Sequence, residues 1–358
     1  IKDIGNRNDE FLSAPRATLM RKSIEDYFEK KLGTRNGGET LINMDRPKHL
    51  KIRRVSREWF LPRNIAKLNE KMEDLAKYYV EKMQDMGEEC DFVKDVALEY
   101  PLRVISTILG LPQEDEHLIL KITQEMFGNS DPDLRRGKSM KDTLAIISDL
   151  YAYFSEVITS RKNKPTDDLS SVIANAVIDG EPMNLLDQLN YFVIVATAGH
   201  DTTSSALSGG LKALIENPEQ MGKWKNNSDL DSNATKEIMR WVSPVRHMVR
   251  TATKDFTLRG KHIRAGENVV LWFPAANRDE SVIKNANSFD LNRDPKMNLA
   301  FGYGSHMCLG QHLALAEVQI FFRELLPRLK NIEMQRKPDW IHANFVGGLK
   351  SMPISYEF

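Results

Sequence analysis

The stretch Phe301-Gly-Tyr-Gly-Ser-His-Met-Cys-Leu-Gly310 concentrates more chemistry than any other part of the chain. Gly302 and Gly304, at alternate positions, let a tight loop bring its backbone close to something flat or bulky. Apolar residues at Leu309, Leu313, Ala316 and Ile320 predict a helix over Leu309–Leu329 that Cys308 opens. A thiol at a helix start faces unpaired N–H groups and the positive dipole end, which favour its thiolate. A thiolate suits a soft iron ligand. Zinc would need three or four ligands, and only His306 and His312 stand nearby; as one axial ligand of haem, a single cysteine suffices. Taken alone, the cysteine is also compatible with an inert buried thiol in a glycine-rich turn.

Three further groupings carry polar chemistry. Ala198-Gly-His-Asp-Thr-Thr203 sits in the middle of Met183–Glu216, whose apolar spacing predicts one helix of about 50 Å. Gly199, Asp201, Thr202, Thr203, Ser204 and Ser205 are poor or indifferent helix formers, and their hydroxyls can bond back to carbonyls one turn earlier. A local kink here would free carbonyls for a small polar ligand or water. Two shorter helices, with Asp201 or Thr202 as N-cap, account for the segment as well. Glu237-Ile-Met-Arg240 places a carboxylate and a guanidinium one helical turn apart, which on a surface would be worth little. Within Asp45–Arg53, His49 and Arg53 are four apart and share a face if that segment is helical.

The elements that must position these groups are mostly helices: Arg63–Met86, Tyr100–Leu109, Glu116–Phe127, Met140–Ser160 and Ala234–Trp241, with Arg161–Asp168 as a charged loop. Strand-like segments are confined to the second half, at Phe256–Arg264, Asn268–Phe273 and Ile354–Phe358, with turn chemistry at Gly260 and Ala265-Gly266. The pattern predicts one mainly α domain over residues 1–358 with a minor β part.

Composition narrows the function classes. Lys plus Arg and Asp plus Glu are 50 each, so nothing draws the chain generally toward nucleic acid or acidic lipid. The longest clean apolar run, Tyr191–Gly199, is too short to span a bilayer, and Ile1-Lys-Asp-Ile-Gly5 has no leader character. The two cysteines, Cys90 and Cys308, lie far apart and make no disulfide framework. A reduced cytoplasmic enzyme is the expectation.

Phe301, Gly302, Gly304, His306, Cys308 and Gly310 together reproduce the haem-binding signature of the cytochromes P450, which this chain resembles from Asn6 to its tail. It is most similar to the bacterial monoterpene (α-terpineol) hydroxylating branch, through Ala196–Ser205, Cys308–Ala314 and Asn344–Gly348. The resemblance implies haem b held by Cys308. His49, Arg53, Arg250 and His306 would clamp its propionates, and Phe301, Gly302 and Ala198 would lie against it. It implies that Thr202 hydrogen-bonds dioxygen and Asp201 relays protons. Ile194, Thr197, Ala198, Val245, Met248, Val249, Phe345 and Val346 would face the substrate, and Glu237, Arg240 and Arg293 would form a buried structural network. The usual Asp-Pro-Pro before the histidine is here Asp45-Arg46-Pro47. The expected activity is monooxygenation of a small hydrophobic compound, terpenoid or small aromatic. Its electrons would come from a ferredoxin with an NAD(P)H-dependent reductase, docked on Lys48, Lys51, Arg53, Arg54 and Arg57. The alternatives are a peroxide-using or rearranging haem-thiolate enzyme and a non-catalytic haem sensor. By the same resemblance, a helix and two strands would precede Ile1–Ala14, so the chain is expected to be N-terminally incomplete, with an exposed strand edge near Phe256–Phe273.

Overall fold

Helical periodicity wins over most of this chain: 54% is helix and 12% strand in the computed structural model, which describes residues 1–35, 38–128, 130–137 and 139–358. The central element is the 32-residue helix Leu185–Glu216, capped at its start by Asn184, whose side chain accepts the Asp187 N–H at 2.9 Å. It is one helix through the weak formers at 199–205, so the pair of shorter helices considered there is not found. Thr202, Thr203 and Ser205 satisfy their hydroxyls on carbonyls four residues back without interrupting the helix.

The glycines of this helix mark close helix contacts. A Cβ at Gly199 would fall 2.7 Å from Ile105 on the helix Glu99–Leu109. Cβ atoms at Gly209 and Gly210 would meet Val242 and Ile238 of the helix Asp231–Val242 at 2.8 Å. Each glycine costs about 1 kcal/mol of helix propensity, and the close approach it permits offsets that cost. Met140–Asn163 covers another side, with Phe154 stacked on Phe192 at 5.0 Å.

Several expected boundaries move. Arg63–Met86 divides into Pro62–Ile65, a 3-10 turn Ala66–Leu68 and the helix Asn69–Asp85. The helix after the cysteine spans Gln311–Leu325, so Cys308 stands three residues before it. The Arg161–Asp168 loop begins only after Asn163. Lys22–Leu32 and Pro218–Lys225 are helices that the sequence reading did not isolate.

Strands are not confined to the second half. Phe11–Leu12, His247–Ala252 and Asn268–Trp272 form one antiparallel sheet in that order. Glu89–Asp91 and Asn331–Met334 flank Pro353–Glu357 in another. These short strands lack alternation long enough to show in sequence and exist because distant partners supply their hydrogen bonds. Phe256–Arg264 is a hairpin, Phe256–Leu258 with Lys261–Ile263, turning at Gly260 with φ 75°. Asn268–Trp272 pairs only with His247–Ala252 among the described residues, so its other edge is open. No described helix is long and apolar enough to cross a membrane.

Candidate functional site

A cavity of about 1320 Å³ separates the Leu185–Glu216 helix from the Phe301–Gly310 loop. That exceeds the roughly 300–1,000 Å³ of an ordinary ligand pocket, so it can hold a large flat group together with a small molecule.

Cys308 faces this space from the loop. Its backbone N–H reaches the Phe301 carbonyl at 2.8 Å, closing a turn that Gly302 and Gly304 enter with φ 74° and 80°. At Gly304 a side chain is excluded as well, because a Cβ would sit 2.0 Å from the Gly5 carbonyl oxygen. Burial raises the Cys308 thiol above its ordinary value, while the Gly310 N–H and the Arg53 charge pull it down. The helix begins at Gln311, a turn later than expected, so the groups beside the thiol that favour its thiolate are the Gly310 N–H and Arg53 rather than the helix start. Among the described residues no group of three or more His, Cys, Asp or Glu side chains could hold a metal ion. A metal on Cys308 would therefore need its other ligands from elsewhere.

Two arginines and two histidines gather beside the cysteine, none of them ion-paired to an acid among the described residues. Arg53 leans on the loop, donating from Nη2 to the Met307 carbonyl at 2.6 Å. Arg250 is buried and, among the described residues, its only side-chain hydrogen bond goes to the Val249 carbonyl; burial lowers its guanidinium to about 10, with Asp45 opposing. His306 meets the Ser13 hydroxyl at 3.1 Å and stacks on His49 at 4.0 Å. Arg53, Arg250 and His306 line the cavity, with His49 behind. Both ring nitrogens of His49 are buried without a partner. Burial, then Arg53, Arg46 and Arg250, lowers its imidazole to about 4. Arg53 and Arg250, each with donors to spare, and the unpartnered His49 ring are what a ligand carrying two carboxylates would satisfy.

Opposite, Thr202 lines the cavity with Oγ1 bonded to the Ala198 carbonyl at 2.9 Å. Asp201 does not line it. Its Oδ2 is buried without a partner and its Oδ1 lies 3.3 Å from His200 Nε2; burial raises its carboxyl, and His200 opposes that. His200, fully buried, faces the Ala196 carbonyl with Nδ1 at 3.0 Å and the Thr123 hydroxyl with Nε2 at 3.1 Å. A carbonyl only accepts, so Nδ1 carries a proton, and the Thr123 hydroxyl spends its own proton on the Ile119 carbonyl at 2.9 Å. Nε2 is left to face the Asp201 carboxyl.

Of the expected substrate contacts, Ile194, Thr197, Ala198, Val245, Met248, Phe345 and Val346 line the cavity, as do Phe301 and Gly302. Val249 does not: it is buried in the sheet opposite Val270, its N–H on the Ala17 carbonyl. Glu237, Arg240 and Arg293 lie apart from the cavity in one buried network. Arg240 grips Glu237 through two bonds of 2.7 Å and donates to the Asn277, Ala286 and Ser288 carbonyls. Arg293 reaches Glu237 at 3.2 Å and the Lys284, Asn285 and Ser288 carbonyls. The basic cluster is thinner than expected: Lys48 is neutralised by Glu39 and Asp187, and Lys51 by Asp179, leaving Arg54 and Arg57 exposed.

Two lining residues escaped sequence reasoning. Glu317, fully buried, has an unpartnered Oε2, and burial raises its carboxyl well above the ordinary value. Its signal was an acid in register with Leu313 and Phe321 on an apolar face. Arg246 had no signal beyond its place between two candidate contacts.

Comparison with known proteins resolves what this arrangement belongs to. The cytochrome P450 family model matches residues 16–230 and 230–358. The chain belongs to the cytochrome P450 family. It is 39% identical to cytochrome P450-terp of a Pseudomonas species, over 99% of this chain and 86% of that one. To linalool 8-monooxygenase of Pseudomonas putida it is 31% identical, over 97% and 88%. The crystal structure of CYP108D1 from Novosphingobium aromaticivorans superposes with a TM-score of 0.91 at 37% identity, covering 99% of this chain and 85% of that one. The chain is thus a P450 monooxygenase of a haem-thiolate family.

Proposed function

We propose that Cys308 binds haem b as its axial thiolate and that the enzyme hydroxylates a small hydrophobic compound, terpenoid-like or a small aromatic, with dioxygen. A ferredoxin and its NAD(P)H-dependent reductase would deliver the electrons. The observation that carries this reading is that Cys308, the guanidinium groups of Arg53 and Arg250, the His306 imidazole and Thr202 open onto one cavity.

Haem bound there supplies the redox chemistry that activates dioxygen and inserts one oxygen atom. Arg53, Arg250 and His306, with His49 behind, hold its carboxylates and thereby lose the unmet hydrogen bonds that desolvation makes costly. Phe301, Gly302 and Ala198 bound the space it fills. Thr202 spends its proton on Ala198 at rest, so its oxygen lone pairs face the cavity; rotation about χ1 turns it into a donor. Asp201, whose carboxyl burial raises, would be a proton store one residue away, beside His200. Ile194, Thr197, Val245, Met248, Phe345 and Val346 exclude water and orient an apolar substrate. Glu237, Arg240 and Arg293 act structurally, pinning the chain between Asn277 and Arg293 ahead of the cysteine loop. Arg54 and Arg57 are left to meet an acidic ferredoxin.

A peroxide-using or rearranging enzyme needs no proton store beside an alcohol, and the Asp201-Thr202 pair argues against both. The test is spectroscopic. The ferrous carbon monoxide complex should absorb at the thiolate position. Monoterpenes and small aromatics should then shift the Soret band on binding.

A further inference from the structure

Arg246 sits among the apolar substrate contacts and has no carboxylate. Its Nη1 donates to the Ala343 carbonyl at 3.0 Å, and no other side-chain hydrogen bond or ion pair engages it among the described residues. Outside the cavity three half-buried arginines bring their own acids: Arg103 holds Glu116, Arg136 holds Glu125 and Arg161 holds Asp168.

The guanidinium is held in place. The Arg246 N–H bonds the Phe345 carbonyl at 2.9 Å, Gly347 N–H bonds the Pro244 carbonyl at 2.8 Å, and a β-bridge joins Val245 to Val346. Gly347 makes room for it, since a Cβ there would fall 2.2 Å from Nε. This glycine has no positive φ, so space is what it provides. Two more lining arginines, Arg21 and Arg135, also lack acids among the described residues, and the one carboxyl lining the cavity is Glu317. The haem carboxylates do not account for Arg246. Arg246 lies outside the strand that carries Arg250, roughly 13 Å along the chain at strand spacing, and the two guanidinium groups are tied to different carbonyls, Ala343 and Val249.

We infer that Arg246 makes this cavity a site for amphiphilic substrates: an apolar, terpenoid- or aryl-sized body ending in a carboxylate that the guanidinium takes up. The inference rests on the haem-monooxygenase reading and narrows its substrate class from neutral hydrocarbons and alcohols to acids. A fixed planar donor in a largely apolar wall is worth most to a planar anion. Val245, Met248, Phe345 and Val346, next to it in sequence or across the bridge, would grip the carbon skeleton.

The experiment titrates the haem-loaded, full-length chain with matched pairs, each a carboxylic acid and the alcohol of the same skeleton, drawn from monoterpenoid, aromatic and linear series. Dissociation constants come from the Soret shift at pH 7.5. In the unaltered protein at least one acid should bind about tenfold or more tighter than its alcohol, with an advantage that shrinks as salt rises. Arg246→Gln should remove that advantage by weakening the acid while leaving the alcohol within about twofold, and Arg246→Lys should keep part of it. Alcohols binding as well as acids in every pair, or no response to any acid, would overturn the inference, and neither result needs a variant. An acid affinity unchanged in Arg246→Gln would overturn it too. A carbon monoxide complex away from the thiolate position would instead overturn the haem reading.

Discussion

Among the described residues no group of three or more metal-ligating side chains exists for Cys308 to join, so its role is tested by one substitution. Cys308→His should move the ferrous carbon monoxide band from the thiolate to the imidazole position, and Cys90→Ser should leave it in place, since Cys90 is buried in a separate sheet. An unmoved band in Cys308→His would remove the ligand assignment. Thr202 is tested by coupling, the product formed per NAD(P)H consumed. If its hydroxyl only back-bonds to Ala198, Thr202→Val costs a single hydrogen bond and coupling holds. If it directs protons, the variant still binds substrate and accepts electrons, but releases hydrogen peroxide in place of product. If its carboxyl supplies the protons that Thr202 directs, Asp201→Asn should lower turnover about tenfold or more and raise the solvent isotope effect.

At the scale of elements, stability turns on two contacts. Glu237 is gripped by Arg240 on two bonds and by Arg293, all within a few per cent of full burial on the Glu237–Arg240 side. Removing one partner of such a network costs roughly 3–5 kcal/mol. Glu237→Ala should therefore lose haem and melt earlier; a variant that keeps haem and stability but turns over slowly would contradict the structural role. Gly199 is the second. Its Cβ would strike Ile105, so Gly199→Ala should destabilise by about 1–3 kcal/mol through overpacking, and Ile105→Val should recover part of the loss. Thermal unfolding of the single and double variants checks this.

At the scale of the molecule, a cavity this large is a standing cost until filled. Its basic lining carries five arginines, Arg21, Arg53, Arg135, Arg246 and Arg250, in a chain whose formal charge is zero. Haem should stabilise the fold by mass action, so haem-free protein should melt at lower temperature and exchange amides faster around the Cys308 loop. Electron delivery is a whole-surface matter. With Lys48 and Lys51 neutralised, Arg54→Glu and Arg57→Glu should raise the KM for ferredoxin severalfold and flatten its salt dependence. Turnover driven by peroxide should be unchanged.

The loop Phe301–Gly310, the motif at Ala198–Thr203 and the pair Glu237 and Arg240 were legible in sequence because each is local: residue type and spacing within ten positions carry the information. Helix type was legible for the same reason, as Glu116–Phe127 and Leu185–Glu216 show through their period. Tertiary structure alone decided what depends on distant partners. The strand His247–Ala252 exists because Phe11–Leu12 and Asn268–Trp272 pair with it, and its register sends Met248 to the cavity and Val249 into the core. Gly199 looked like a weak point in a helix and is a contact with a helix almost a hundred residues earlier. Lys48 and Lys51 read as free charge until Asp187 and Asp179 were brought beside them. Arg246 could not be told from a surface arginine by composition, because the absence of an acid beside it is a fact about space rather than about sequence.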